Sequence, residues 1–172
     1  MDIGKQQTKE KQLQEKRMNE IMAKYSKSLY QLCLFYTADW HMAEDAFQES
    51  MIRIWKGLDS FRAESSLKTW ATKVTMNTCR RFMSSRYYQQ WQRNLPEEAL
   101  YACAVPDADQ KSDLLPAIGS LPDVYREVII LRFFEDLSLK EISELEGVSI
   151  FTVSSRIRKA KNLLKQKLEE MV

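Results

Sequence analysis

Glycine and proline are scarce, four of each in 172 residues, and the apolar/polar alternation that marks strands is nearly absent. That shortage argues against sheets and for an all-helical chain. It also excludes a glycine-rich phosphate loop. One histidine, His41, stands with three cysteines, Cys33, Cys79 and Cys103, which lie far apart without Cys-x-x-Cys spacing. No disulfide framework follows, and a zinc site of the Cys/His kind would need all three cysteines gathered, so no metal or other cofactor is expected. No histidine pairs with a cysteine or serine at a credible site, and the carboxylates cluster on an outward helix face, so no enzyme is expected. The opening stretch "MDIGKQQTKEKQLQEKR" is polar and charged. Neither a signal peptide nor a membrane span fits it, and no membrane insertion is expected; the setting read from this is the reduced cytoplasm.

Charge, by contrast, is abundant and segregated. The formal net charge is only +2. Yet Arg62 to Arg93 holds seven basic residues against Glu64 alone, Asn94 to Asp123 holds six acidic residues against Lys111 alone, and Gly147 to the end holds six basic against Glu169 and Glu170. Two cationic blocks flank an acidic one. Segregated positive charge suits a polyanion, because each neutralised phosphate releases counterions.

The periodicity gives the elements. Met18, Ile21, Met22, Tyr25, Leu29, Leu32, Cys33 and Tyr36 step by three or four and predict one helix over about 17–37, with residues 1–16 as a polar lead-in. Asp39 can cap a second helix over about 41–58, whose inward stripe is Ala43, Ala46, Phe47, Met51, Ile54 and Leu58. Its outer face carries Glu44, Asp45, Gln48, Glu49 and Ile52. "DSFRAESS" interrupts the pattern, and Ser65 or Ser66 can cap a third helix reaching about Arg86. That helix is rich in threonine, a mediocre helix former, so packing must hold it. Leu67, Trp70, Ala71, Val74, Thr78 and Phe82 make its buried stripe, while Lys73, Asn77, Arg80, Arg81 and Ser84 fall on another side. Trp40, Trp55 and Trp70 are read as core. Residues 94–113 have two prolines, no sustained period and mostly acidic charge, which predicts a linker.

The last block has the sharpest local grammar. Pro122 suits a first helical position, and Val124, Tyr125, Val128, Ile129, Leu131 and Phe133 predict an apolar helix to about Phe134. Ser138 and Glu141 form a capping box before a short helix with Leu139, Ile142 and Leu145 inward. Gly147 supplies a left-handed stop, and Ser149 caps a further helix with Ile150, Val153, Ile157, Ala160 and Leu164 inward. Phe151, Thr152, Ser155, Arg158, Lys159 and Asn162 point the opposite way, with Arg156 on the flank. Two helices joined by a tight turn, the second with a basic, hydroxyl-rich face, make a helix-turn-helix suited to the major groove. The basic face of the earlier helix, preceded by a loop bearing Phe61 and followed by Tyr87, Tyr88 and Trp91, is similar to a single-strand platform.

These residues together resemble a bacterial sigma factor of the extracytoplasmic-function group, the two-domain kind related to sigma-70. The resemblance runs from about Met18 to Leu168, and its most specific pieces are "AEDAFQESMIRIWKGLDSFRAESSLKTWATKVTMNT" and "LPDVYREVIILRFFEDLSLKEISELEGVSIFTVSSRIRKAK". It implies a region 2 domain over 17–92, a linker over 93–113 that threads towards the RNA exit path, and a region 4 helix-turn-helix domain over 114–172. It implies further that Asp45, Gln48, Glu49 and Ile52 meet core RNA polymerase, whose clamp helices form a basic coiled coil. Phe61, Arg62 and Ser65 would capture a base flipped from the minus-ten element, Asn77 would sit at the junction of double and single strands, and Lys73, Arg80 and Arg81 would follow the backbone. Phe151, Thr152, Ser155, Arg156, Arg158 and Lys159 would read the minus-thirty-five element. The implied partners are core polymerase, promoter DNA in double-stranded and melted form, and an anti-sigma factor.

At two places the chain departs from the family pattern. The family commonly has a small residue and a glycine where this chain has Ile150 and Phe151, and Ser154 replaces a frequent Arg or Lys. The promoter sequence is therefore not inferred from relatives. The rival reading is a one-component helix-turn-helix regulator that binds duplex DNA as a dimer without polymerase. A third is a partner protein that uses its helical N-terminal domain only for docking, which has no need of two basic faces.

Overall fold

The structure, a computed structural model, describes residues 3–37, 39–94 and 114–170. Every regular element among them is helical, as the scarcity of glycine, proline and alternating patterns predicts. The chain divides into two units, Met1–Gln90 and Trp91–Val172. Most of the stretch expected to be a linker lies outside the described residues, with Cys103. Its first residue, Arg93, is still helical.

In the first unit, α1 (Ile3–Lys24) and α2 (Ser26–Thr37) replace the single helix expected over 17–37. The lead-in is thus part of α1, and the break falls at Tyr25. Backbone bonds continue across it, Tyr25 N to Ile21 O and Leu29 N to Tyr25 O, both 2.9 Å. The hydroxyl of Ser26 donates to Met22 O at 2.6 Å and that of Ser28 to Tyr25 O at 3.3 Å. Such back-bonding bends a helix, and serine pairs are a common seat of kinks. Met22, expected inward, is exposed: Ile21 is fully buried and the next position turns about 100° away from it.

Asp39 caps α3 (Trp40–Gly57) by accepting from Met42 N, and a single 3-10 turn, Leu58–Ser60, follows. Ser66 caps α4 (Leu67–Met83) by accepting from Thr69 N at 3.0 Å. Helices α2, α3 and α4 pack on one another, and α1 lies against all three. Ile21, Leu29, Ile54, Leu58 and Ala71 form the core, with Leu67, Trp70 and Val74 packed on it. The buried side of α4 is wider than the predicted stripe, because Thr69, Thr72, Thr75, Met76, Thr78 and Cys79 are buried too. The Thr78 hydroxyl donates to Val74 O at 2.7 Å. Those of Thr72 and Thr75 are buried without a hydrogen-bond partner among the described residues, each at a cost of about 1–3 kcal/mol. Packing therefore holds this helix against both its propensity and its buried hydroxyls.

The helix expected to reach Arg86 ends at Met83, and α5 (Arg86–Arg93) begins anew. Tyr88 ties α5 down by donating from its hydroxyl to Thr37 O at 3.0 Å. Trp40 and Trp55, expected in the core, are exposed at 57% and 36%. Trp40 opens α3 with its ring stacked on His41, and Ile54 and Leu58 already fill the inward positions beside Trp55.

The second unit holds α6 (Leu114–Gly119), α7 (Asp123–Ile129), α8 (Leu139–Glu146) and α9 (Ile150–Glu170), with α6, α7 and α8 each packed on α9. Ile118, Leu121, Ile129 and Ala160 form its core. Pro122 takes the cap of α7 rather than its first helical position. The apolar helix does not stay α-helical to Phe134: residues Ile130–Phe134 form a π turn, and Glu135 N bonds Ile130 O at 3.0 Å. Leu137 N then bonds Leu131 O at 3.0 Å across Asp136, whose φ is +54°. Aspartate tolerates this left-handed state better than most residues.

Candidate functional surfaces

On α3, positions 45, 48, 49 and 52 fall on one side because they step by three, one and three along a helix. Asp45, Gln48 and Ile52 are exposed, and Glu49 is half-buried, paired with Arg53 at 2.7 Å. They line a groove of about 570 Å³ together with Arg53, Thr78, Arg81, Phe82 and Tyr87. Arg81, expected on the minus-ten side, thus stands on the wall it shares with the acidic face of α3.

The other side of α4 carries Lys73, Asn77, Arg80 and Ser84 as one stripe, with Lys73 and Asn77 exposed and Arg80 half-buried. It is positioned by the burial of Ala71 and Thr75 on the opposite side of the helix. Ahead of it runs the 61–66 loop. Phe61 is half-buried against Trp70, with ring centroids 5.1 Å apart. Ala63 holds φ at +56°, a conformation L-residues occupy at a cost and one that clusters at functional loops. Arg62 is exposed, and Ser65 donates to Ser66 O at 3.4 Å.

Sequence reasoning missed Arg17. Its guanidinium carbon lies 5.0 Å from the Phe61 ring centroid, within cation–π range, so the lead helix closes over the loop. The contact joins segments more than forty residues apart, and no local period signals it. The meeting of Cys33 and Cys79 was equally invisible. The Sγ atoms of Cys33 and Cys79 share a hydrogen bond at 3.5 Å in a buried site. That bond, then burial, pushes the Cys33 thiol pKa well up.

In the second unit, Ser138 and Glu141 make the capping box in both directions, and Gly147 ends α8 at φ +65°. The Ser143 hydroxyl donates to Val148 O at 2.6 Å, which fixes the turn. Ser149 accepts from Thr152 N at 3.1 Å, and its hydroxyl lies 2.9 Å from that of Thr152. Thr152 is therefore half-buried and engaged in the cap. Phe151, Ser155, Arg158 and Lys159 are exposed. Lys159 Nζ lies 5.4 Å from the Tyr125 ring centroid, and Arg156 Nη1 lies 3.9 Å from Glu146 Oε2, so both lean back onto their own unit. Ile150, expected inward, is 44% exposed; Val153 fills the hairpin core at that end of α9. Among the described residues no group of histidine, cysteine and acidic side chains is arranged to hold a metal ion.

Comparison with known proteins follows the same division. Residues 21–87 match the family model of Sigma-70 region 2, and residues 112–164 match that of Sigma-70 region 4. The chain is 30% identical over 171 residues to the ECF RNA polymerase sigma factor SigW of Bacillus subtilis, covering 88% of this chain and 89% of that one. It is 29% identical to the RNA polymerase sigma factor SigV of the same organism, over 93% and 96% of the two chains. It is 26% identical to the ECF RNA polymerase sigma-E factor of Haemophilus influenzae, over 91% and 90%. Among solved structures, the sigma factor RpoE of Bartonella quintana, in complex with the anti-sigma factor NepR, shares the fold with a TM-score of 0.71 at 23% identity, over 88% and 95%. CnrH, in complex with the cytosolic domain of CnrY, shares it at 0.66 and 19%, over 89% and 88%.

Proposed function

The chain belongs to the sigma-70 family as an extracytoplasmic-function sigma factor, which binds core RNA polymerase, directs promoter-specific transcription and is not an enzyme, and from that premise we propose how its residues divide the work. The α3 face of Asp45, Gln48, Glu49 and Ile52 meets the polymerase. The α4 stripe of Lys73, Asn77 and Arg80, with Arg81 at its edge and the Phe61–Ser65 loop ahead of it, holds the opened minus-ten element. The outer face of α9 reads the minus-thirty-five element. The factor works in the cytoplasm, and an anti-sigma factor is its proposed inhibitor, as NepR is named for RpoE. No helix among the described residues is long and apolar enough to cross a membrane.

One observation carries the division of the first unit: a single body of α1 to α4 presents an acidic face on α3 and a cationic stripe on α4. Opposite charges on neighbouring faces suit two different partners, a basic coiled coil and a polyanion. Melting a promoter costs a few kcal/mol of unstacking per step. A factor that hydrolyses no nucleotide recovers it by binding the exposed strand, with stacking worth about 1–3 kcal/mol per base and cations along the phosphates. The threonine-rich α4 gains no such advantage from its buried side; its functional value lies in the stripe it turns outward.

Gel filtration of the purified chain with core polymerase tests the reading. Co-elution as a one-to-one complex is expected. A free dimer that protects a palindrome without polymerase would instead support a one-component regulator, which the region 2 match over residues 21–87 disfavours.

A further inference from the structure

At about 100° per residue, Phe151, Ser155, Arg158 and Asn162 form one stripe along α9, diametrically opposite the buried Val153 and Ala160. Ser155, Arg158 and Asn162 are all exposed. Phe151 is exposed at 87%, the most of any large hydrophobic residue among those described. Its ring has no part in holding the hairpin: Val153 packs the interior there, and Ser149 and Thr152 make the cap. Single exposed apolar residues are ordinary on protein surfaces. Phe151 differs in its neighbours. It stands at the head of a stripe whose other members are hydrogen-bonding or cationic, with Ser154, Lys159 and Lys165 exposed on either side. A field of that sign and polarity suits DNA rather than an apolar protein groove.

A duplex offers one apolar group in its major groove that distinguishes the natural bases, the C5-methyl of thymine. We propose that Phe151 is a specificity-determining residue, packing its ring on the methyl of a thymine in the minus-thirty-five element while Ser155 and Arg158 contact the bases beside it. The proposal rests on the reading of α9 as the minus-thirty-five reader and adds which chemical feature it selects.

The test uses the full chain in holoenzyme. Run-off transcription on genomic templates first identifies a promoter, and each thymine of its upstream element is then replaced by deoxyuridine, which removes only the methyl. For the wild type, one or two replacements are expected to weaken holoenzyme binding about fourfold, the worth of one buried methyl. Phe151→Ala is expected to bind the thymine and deoxyuridine promoters equally, and Phe151→Leu to keep part of the discrimination. Equal sensitivity to deoxyuridine in wild type and Phe151→Ala would overturn the proposal. So would an upstream element without thymine, or a Phe151→Ala defect confined to assembly with core polymerase, which would make the ring a protein contact. A chain that initiates nowhere would overturn the promoter-reading account itself, and the inference with it.

Discussion

Phe61 and Trp70 lean on each other with their ring planes tilted by 48°, which anchors the loop before α4 to the helix that carries the cationic stripe. The Trp70 indole is itself backed by Gly57, where a Cβ would come within 3.0 Å of Cζ2. Loop, α4 and the end of α3 therefore meet at one tryptophan, with Arg17 of α1 also on the Phe61 ring. Phe61→Ala is expected to lower stability by about 1–2 kcal/mol, since the ring is only half-buried. It is also expected to weaken binding of holoenzyme to forked promoter DNA about tenfold, the loss of one stacking contact. Denaturant titration and fluorescence anisotropy separate the two effects, and affinity for core polymerase should not change.

The α3 face gives the reverse pattern. Ile52 is about half exposed, so Ile52→Ala should change stability by less than about 1 kcal/mol. Asp45→Lys reverses an exposed charge. Both are expected to weaken binding to core polymerase, Asp45→Lys by tenfold or more and with a shallower salt dependence than the wild type, since salt then screens less attraction. Titration of labelled factor with core enzyme measures this.

The hairpin of the second unit should fail through its turn. Gly147 sits at φ +65°, and an alanine Cβ there would meet nothing within 4 Å. Gly147→Ala therefore makes no clash and costs backbone strain alone, about 1 kcal/mol. Gly147→Asn should cost less. Ser138→Ala removes the bond from Glu141 N to the serine hydroxyl but leaves that from the residue's own backbone N to Glu141 Oε2, and should cost about 1 kcal/mol. Thermal denaturation of the full chain checks these, and equal losses for Ala and Asn at position 147 would contradict the backbone argument.

Much of this architecture was legible because it is local. The Asp39 and Ser149 caps, the Ser138–Glu141 box and the Gly147 stop depend on residues three or four apart, and the sequence displays them directly. The outer stripe of α4 and the exposed side of α9 follow from period alone. What periodicity misses is competition for burial and contacts far apart in sequence. Trp40 and Trp55 are apolar enough for a core, but Ile54 and Leu58 occupy the inward positions. Ile150 is displaced in the same way beside Val153. The π turn at Ile130–Phe134 is a choice among hydrogen-bond partners that no residue type announces, whereas the break at Tyr25 has a residue-level sign in Ser26 and Ser28 that apolar periodicity does not weigh. Arg17 on Phe61 and Cys33 beside Cys79 exist only once the helices have packed.

The thiol pair predicts a pH dependence. The hydrogen bond with Cys79, and then burial, raise the pKa of Cys33 in the folded state. The folded thiol then keeps its proton where the unfolded one, with a pKa of about 8.5, loses it. This stabilisation is complete below that value and falls as pH rises above it, by about 1.4 kcal/mol per pH unit for one thiol. Unfolding free energies of wild type and Cys33→Ala should differ in slope by about that amount well above the unfolded pKa, at about pH 9.5 to 10.5; parallel slopes would contradict it.

Promoter opening by the reconstituted holoenzyme tests the central claim most directly. Permanganate footprinting on a promoter mapped by run-off transcription should show reactive thymines across the minus-ten region with the wild-type chain. Lys73→Ala and Asn77→Ala should lower that reactivity about tenfold while their affinity for core polymerase stays that of the wild type. Undiminished opening by both variants would contradict the assignment of the α4 stripe to melted DNA.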